Sequence, residues 1–188
     1  MLPRLIQSAK QGKKIRLWSA GCSSGQEPYS MALTILSLLP DARSHDIRIL
    51  ATDINPNVLA VGRKAVYREE EVADVPAELR NRWMEKFDQG GENLYHLDEA
   101  VTRMVSFREL NFIEPWPMRG TFQVIFCRNV VIYFDEKTQA RIWSNMLPLL
   151  DRDGTLYIGH SERVNGAAAA HFTVDGTTTY RVKQRAAA

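Results

Sequence analysis

The sequence predicts an α/β fold: a mostly parallel sheet covered by helices on both faces and closed by an antiparallel hairpin near its C-terminal end. Three observations carry this. Short apolar runs alternate with helical patterns along the chain, which demands parallel strands joined by crossover helices. Asp175-Gly176 stands between two β-prone runs, Phe172 to Val174 and Thr177 to Val182, and marks a hairpin. The stretch from Ile15 to Tyr29, IRLWSAGCSSGQEPY, passes from an apolar strand through small residues into a helix. In such a turn the backbone approaches a ligand closely and N–H groups point outward.

Leu2 to Ala9 reads as a short helical lead-in. After the small-residue turn, Tyr29, Ala32, Leu33 and Leu36 fall at i, i+3, i+4 and i+7, one face of a helix that Pro40-Asp41 ends. Ile47 to Thr52 is a second strand closed by Asp53. Asn55-Pro56 then supplies an N-cap and a proline at the first helical position, opening a helix through Lys64. A charged stretch, Arg68 to Asp74, leads to Pro76 and a helix expected to reach Phe87, on the spacing of Leu79, Trp83 and Phe87. Gln89-Gly90-Gly91 breaks that pattern, and Leu94 to Leu97 reads as a short strand in a small excursion from the main sheet. Val105 to Leu110 and Phe122 to Cys127 are the third and fourth strands. Asp135 caps a helix with apolar positions Ile142, Met146, Leu147 and Leu150, and Thr155 to Ile158 is the fifth strand. The alanines from Ala167 to Ala170 read as a tolerant surface segment.

A chain of 188 residues has the size of one domain and can bury a core. Its net charge of +2, with no dense Lys/Arg stripe, gives no reason to expect a nucleic-acid partner. No apolar run approaches the roughly 20 residues of a membrane helix. The start, Met1-Leu2-Pro3-Arg4, lacks the apolar core of a signal peptide. Two cysteines, Cys22 and Cys127, speak against a disulfide scaffold and for a cytoplasmic chain.

In open sheets of this class, ligands gather at the carboxyl ends of strands. That rule selects Ala20 to Glu27, Asp53, Asn111 and Arg128-Asn129, each directly after an expected strand. The glycines Gly21 and Gly25 do not form the dinucleotide spacing G-x-G-x-x-G, and no Lys-Ser/Thr pair follows as a phosphate loop needs. An NAD-dependent oxidoreductase is disfavoured on that spacing. Asp53 stands where an acidic side chain accepts from ribose hydroxyls, with a helix-cap role as the rival. Glu27 has two readings of equal weight: the partner of Ser24 in a capping box, or a carboxylate aimed into the ligand crevice. Asn111 offers donor and acceptor to an adenine edge, or is a plain turn residue. Arg128 suits bidentate pairing with a carboxylate, against a surface ion pair. Tyr133 lies in the loop before the Asp135 cap, with packing beside Phe134 as its bland reading. His160 and Glu162 follow the fifth strand and suggest acid–base work. The histidines have no metal-ligand spacing, so no metal site is expected. Small buried roles are the better reading of Cys22 and Cys127.

A small-residue turn, a ribose carboxylate, an adenine-side Asn and no phosphate grip together suit S-adenosylmethionine. The runs WSAGCSSGQEPYS, ATDIN, FRELNF, FCRNVVIYF and GHSE, in this order, resemble the catalytic domain of the CheR-type chemotaxis receptor methyltransferases, from Leu2 to about Val182. The resemblance implies a Rossmann-like methyltransferase domain over 1–184, a small β-subdomain at about 88–104 and a tail at 185–188. It implies transfer of a methyl group from S-adenosylmethionine, leaving S-adenosylhomocysteine, to glutamate side chains on the cytoplasmic helical region of bacterial chemoreceptors. Ala20, Gly21, Glu27, Asp53, Asn111, Phe112, Arg128 and Asn129 would hold the cofactor. Arg128 would also lie near the transferred methyl, and Tyr133 toward the substrate. In the family a small helical domain precedes this one, and the chain begins where that domain would end. That departure keeps a second reading open: a non-catalytic module that holds the cofactor or its product and docks on receptors.

Overall fold

The structure, a computed structural model, describes residues 1–183; the expected tail at 185–188 lies outside the described residues. Seven strands form one sheet in the order β6-β2-β1-β7-β8-β10-β9, and three more form a small sheet, β3-β5-β4. Their ranges follow below. The chain folds as two compact units: Met1–Ile15 with Cys22–Glu109, and Arg16–Gly21 with the residues from Leu110 on.

In the first unit, α1 (Leu2–Lys10) precedes the opening strand β1 (Ile15–Ala20), whose remaining residues belong to the second unit. Helix α2 (Gln26–Leu38) buries Tyr29, Met31, Ala32, Leu33, Ile35 and Leu36, more than one helical stripe, as a helix packed on two sides requires. Strand β2 (Ile47–Asp53) pairs in parallel with β6 (Val105–Glu109), from Ile49 opposite Val105 to Asp53 opposite Glu109. Helix α3 (Pro56–Lys64) joins them in space. Its N-cap Asn55 accepts from the Asn57 N–H at 2.9 Å, and Pro56 sits where a missing N–H costs nothing.

The small sheet corrects three expectations. Strand β3 (Val66–Arg68) begins it, in the short gap between the helix expected through Lys64 and the charged stretch that starts at Arg68. Helix α4 (Ala77–Trp83) ends one turn early, and Met84–Gln89 is strand β4, not helix. Strand β5 (Glu92–Leu97) pairs antiparallel with both neighbours. The excursion therefore spans 66–97 instead of 88–104. The physical reason is Gly90-Gly91: with φ of 66° and 88°, both occupy the left-handed region that a two-residue hairpin turn needs. A hairpin anchored there takes Met84 to Gln89 into six cross-strand pairs, and the i, i+4 spacing of Trp83 and Phe87 is overridden. After β5 comes one short helix, α5 (Glu99–Thr102), capped by Asp98.

In the second unit β1 runs parallel to β7 (Phe122–Cys127), which runs parallel to β8 (Leu150–Ile158). Leu150 belongs to this strand, not to the preceding helix α6 (Glu136–Met146), which Asp135 caps by accepting from Thr138 N–H at 2.9 Å. The hairpin forms as expected. β9 (Phe172–Val174) and β10 (Thr179–Val182) are antiparallel, and β10 alone is reversed against β8. The core is built on Trp18, Ile125, Ile142, Trp143, Met146 and Leu156, all fully buried. Trp143 satisfies its indole N–H on the Arg163 carbonyl at 3.1 Å, as a buried donor must. Among the described residues no helix is long and apolar enough to cross a membrane.

Candidate functional site

In the first unit the turn after β1 is held from two directions. Cys22 N–H donates to the Thr52 carbonyl at 2.8 Å, and Ser23 N–H donates to Asp53 Oδ2 at 2.9 Å. Asp53 Oδ1 accepts from Asn55 N–H at 3.0 Å. One half-buried carboxylate thus fixes the turn, with Ser23 at a φ of 49°, and orients the entry to α3. Each oxygen uses one lone-pair site and keeps another, so the carboxylate is immobilised without being saturated. The cap of α3 is Asn55, not Asp53, which removes the rival reading of Asp53.

Gly25, at a φ of 97°, is the N-cap of α2, and no side chain caps this helix. Ser24 Oγ donates instead to Gln26 Oε1 at 2.8 Å. The capping box that competed for Glu27 is therefore absent, because the left-handed glycine takes the cap position. Glu27 lies in the first turn of α2, where the helix dipole favours a negative group. A Cβ on Gly25 would stand 3.0 Å from both Phe107 Cζ and Tyr67 Oη. Tyr67, from the small sheet, donates its hydroxyl to the Ser24 carbonyl at 2.7 Å, and its ring meets Tyr29 edge-on. Burial pushes both phenols upward from their ordinary pKa. Tyr67 was not foreseen; its sequence signal is a β-prone pair, Val66-Tyr67, just before the charged run that starts at Arg68.

Two carboxylates and one guanidinium, Asp53, Glu27 and Arg63, act on the buried Cys22 thiol. Cys22 is buried, and burial first, then the negative charges of Asp53 and Glu27, push its thiol up to about 12. Asp53 acts on the thiol more strongly than Glu27, and the positive charge of Arg63 opposes both. Such a field suits a ribose diol and a positively charged ligand group and opposes a phosphate.

In the second unit Gly21, at a φ of 80°, ends β1; a Cβ there would stand 2.3 Å from Val130 Cγ2. Ala20, just before it, is fully buried. Arg128 and Asn129 leave β7 on the surface, Asn129 at a φ of 59°. The turn that carries them closes on Glu162, which is only 4% exposed. Its Oε2 accepts from Gly159 N–H at 2.6 Å and Asn129 N–H at 3.1 Å. Its Oε1 accepts from Val130 N–H at 2.9 Å and Val131 N–H at 2.8 Å. A carboxylate receiving four backbone donors is an architectural group, which corrects the acid–base reading of Glu162. The only sequence signal is an acidic residue three positions after a strand-ending glycine. Tyr133 closes the next short turn with 81% of its surface exposed, so packing beside Phe134 does not occupy it.

Asn111 and Phe112 form a separate turn. Asn111 Oδ1 accepts from Ile113 N–H at 3.0 Å and its amide donates to Glu114 at 3.1 Å. This is the turn role weighed against an adenine contact. The ring of Phe112 is buried against Trp18 and Trp116. Both cysteines are buried and stand outside any disulfide. Among the described residues no cluster of His, Cys, Asp and Glu is placed to hold a metal.

A mostly parallel sheet with one reversed strand, whose strand-end turns offer carboxylates and small residues, is the class of scaffold that binds a nucleoside-bearing cofactor at its strand ends. The family described as "CheR methyltransferase, SAM binding domain" matches residues 1–181. A probable chemotaxis protein methyltransferase of Rhizobium etli is 49% identical over 96% of this chain and 68% of its own length. A chemotaxis protein methyltransferase of Borreliella burgdorferi is 35% identical over 94% of this chain and 63% of its own. The chain thus spans about two thirds of these relatives. A solved SAM-dependent methyltransferase of Methanosarcina mazei is 15% identical, with a TM-score of 0.47, over 82% of this chain and 55% of that one. The chain belongs to the CheR methyltransferase family, of which it is the SAM-binding domain.

Proposed function

We propose that the chain methylates glutamate side chains on the cytoplasmic helical region of bacterial chemoreceptors, acting in the cytoplasm. The observation that carries this reading, beside the family, is the Asp53 carboxylate held at the end of β2 by the Ser23 and Asn55 N–H groups, with Glu27 in the first turn of the helix that follows β1. Asp53, held by Ser23 and Asn55, takes the ribose hydroxyls. Glu27, at the start of α2, favours the cationic end of the cofactor. Ala20, Gly21, Asn111, Phe112 and Asn129 supply further cofactor contacts, with the peptide backbone rather than the buried ring as Phe112's part. Arg128 lies toward the transferred methyl.

When bound, S-adenosylmethionine supplies an electrophilic methyl whose bond to sulfur breaks as a bond to the glutamate oxygen forms. The acceptor carboxyl has a pKa of about 4.3 when unperturbed, so it is ionised at neutral pH and asks for no general base. What falls to the protein is alignment and exclusion of water, and proximity alone can supply about 7–11 kcal/mol. Tyr133, exposed on its turn, and Arg128 orient the incoming carboxylate. A tight ion pair with Arg128 would stabilise the ground state and slow the step, so their contribution is direction.

Calorimetry with S-adenosylhomocysteine, followed by transfer of labelled methyl to a receptor fragment, tests the reading. Native chain binds, and Asp53→Ala weakens binding about 10- to 150-fold, as expected for charge-assisted hydrogen bonds of about 1.5–3 kcal/mol. Label appears on glutamates and not in a fragment whose glutamates are glutamines. Undiminished binding by Asp53→Ala removes the ribose assignment, and label on any other residue type removes the substrate.

A further inference from the structure

The turn that carries Arg128 and Asn129 is a backbone concavity for an anion, and the protein fills it from within. Asn129 is left-handed, at a φ of 59°, and Val130 follows at φ −119° and ψ −47°. Successive N–H groups in such a sequence of conformations point to one side and form a nest for a negative group. Here the N–H groups of Asn129, Val130 and Val131 all converge on Glu162, and Gly159 adds a fourth. Gly159 is glycine for a steric reason: a Cβ would stand 2.8 Å from Glu162 Oε2 and 2.9 Å from Asn129 N. On the other side of the turn, Val130 is pressed against Gly21, where a Cβ would meet it at 2.3 Å. Carboxylate, turn and strand end are therefore one interlocked block.

We propose that Glu162 is a positioning residue for methyl transfer: its carboxylate occupies the nest and so fixes the backbone from which Arg128, Asn129 and Tyr133 project. This rests on the function proposed above. Four donors shared between two oxygens leave the carboxylate no freedom of rotation, and left-handed Asn129 is held by a charge-assisted bond at its own N–H. A second consequence concerns the substrate. A vacant nest is a binding site for any carboxylate, including the acceptor glutamate. With Glu162 seated in it, that turn does not compete for the substrate.

The test uses Glu162→Ala and the isosteric Glu162→Gln in the full chain, with Ile142→Val as a destabilised control in the same unit. S-adenosylhomocysteine affinity is measured at temperatures where thermal scans show each protein folded. Backbone amide spectra are recorded with formate and with chloride at matched ionic strength. We expect Glu162→Ala to lose about tenfold or more in affinity and to regain much of it in formate but not in chloride, because formate re-enters the nest. Ile142→Val should bind like the native chain. Glu162→Gln places an amide donor against one pair of N–H groups, so the amide protons of that pair should shift upfield while the other pair keeps its place. Native affinity in folded Glu162→Ala overturns the proposal, as does a loss that formate does not restore. If Glu162→Ala fails to fold, Glu162→Gln decides: unmoved amides at Asn129, Val130, Val131 and Gly159 overturn it. Should the native chain bind no S-adenosylhomocysteine, the proposed function falls, and formate-dependent amide shifts still judge the nest.

Discussion

A single thiol reports on the charge around the candidate site. Cys22 is buried, and its pKa is raised from 9.0 to about 12 by burial first and by Asp53 and Glu27 after it. The folded value lies above the unfolded one, so the contribution to stability is whole below about pH 9 and is lost as pH rises toward 12. Urea unfolding from roughly pH 8 to 11 should therefore show a steeper decline for the native chain than for Cys22→Ala. Equal slopes would mean that neither burial nor the neighbouring carboxylates shift the thiol. The same residues show what a sequence can disclose. The place of Asp53 at a strand end was legible, and the adjacent Asn55-Pro56 had already claimed the cap; that its carboxylate holds the turn through the Ser23 and Asn55 N–H groups was not. Glu27 was ambiguous because a capping box and a ligand contact look alike until Gly25 is seen at the N-cap. Glu162 was misread because its partners are backbone N–H groups some 30 positions away, and no pattern of side chains encodes such a contact.

Helix α3 shows how two local preferences compete at the level of an element. An interior glycine such as Gly62 normally costs a helix about 1 kcal/mol relative to alanine, so Gly62→Ala would ordinarily stabilise. Here a Cβ would stand 2.6 Å from Phe107 Cε1 and 2.8 Å from its Cζ, and overpacking of this kind costs about 1–3 kcal/mol. The steric effect wins, and Gly62→Ala should destabilise by about 1–2 kcal/mol in denaturant unfolding. Combined with Phe107→Leu, the pair should be non-additive by about 0.5 kcal/mol or more; strict additivity would remove Phe107 as the cause. The elements that the sequence disclosed carry local punctuation: Asn55-Pro56 opening α3, Asp135 opening α6, Asp175-Gly176 between β9 and β10. Strand β4 was hidden because its side chains have helical spacing and its pairing depends on Gly90-Gly91 and a partner strand. Leu150 was hidden for a similar reason: apolar spacing does not reveal where a short turn, Leu147–Leu149, converts helix into strand.

Topology at the scale of the whole molecule was legible as alternation, since strand–helix–strand units leave few alternatives for a parallel sheet. The order of the strands was not, and neither was the extent of the small sheet, because both depend on contacts distant in sequence. That architecture makes a prediction about where the chain opens first. Strands β1, β7 and β8 contain Trp18, Ile125 and Leu156, all fully buried, and β7 is paired on both sides. Their amides can exchange with solvent only through openings close to global unfolding. The β4–β5 hairpin is different: most of its residues, Gly90 and Gly91 included, are exposed. Strand β9 lies at a sheet edge with Thr173 and Val174 exposed. Amides there need only local fraying. Native-state hydrogen exchange should therefore find Ile125 and Leu156 slower than the amides around Gly90 and Val174 by about 10³-fold or more, which is roughly 4 kcal/mol of opening free energy. Comparable rates at both places would mean that the molecule opens as one cooperative unit, and that the small sheet and the edge hairpin share the stability of the central strands.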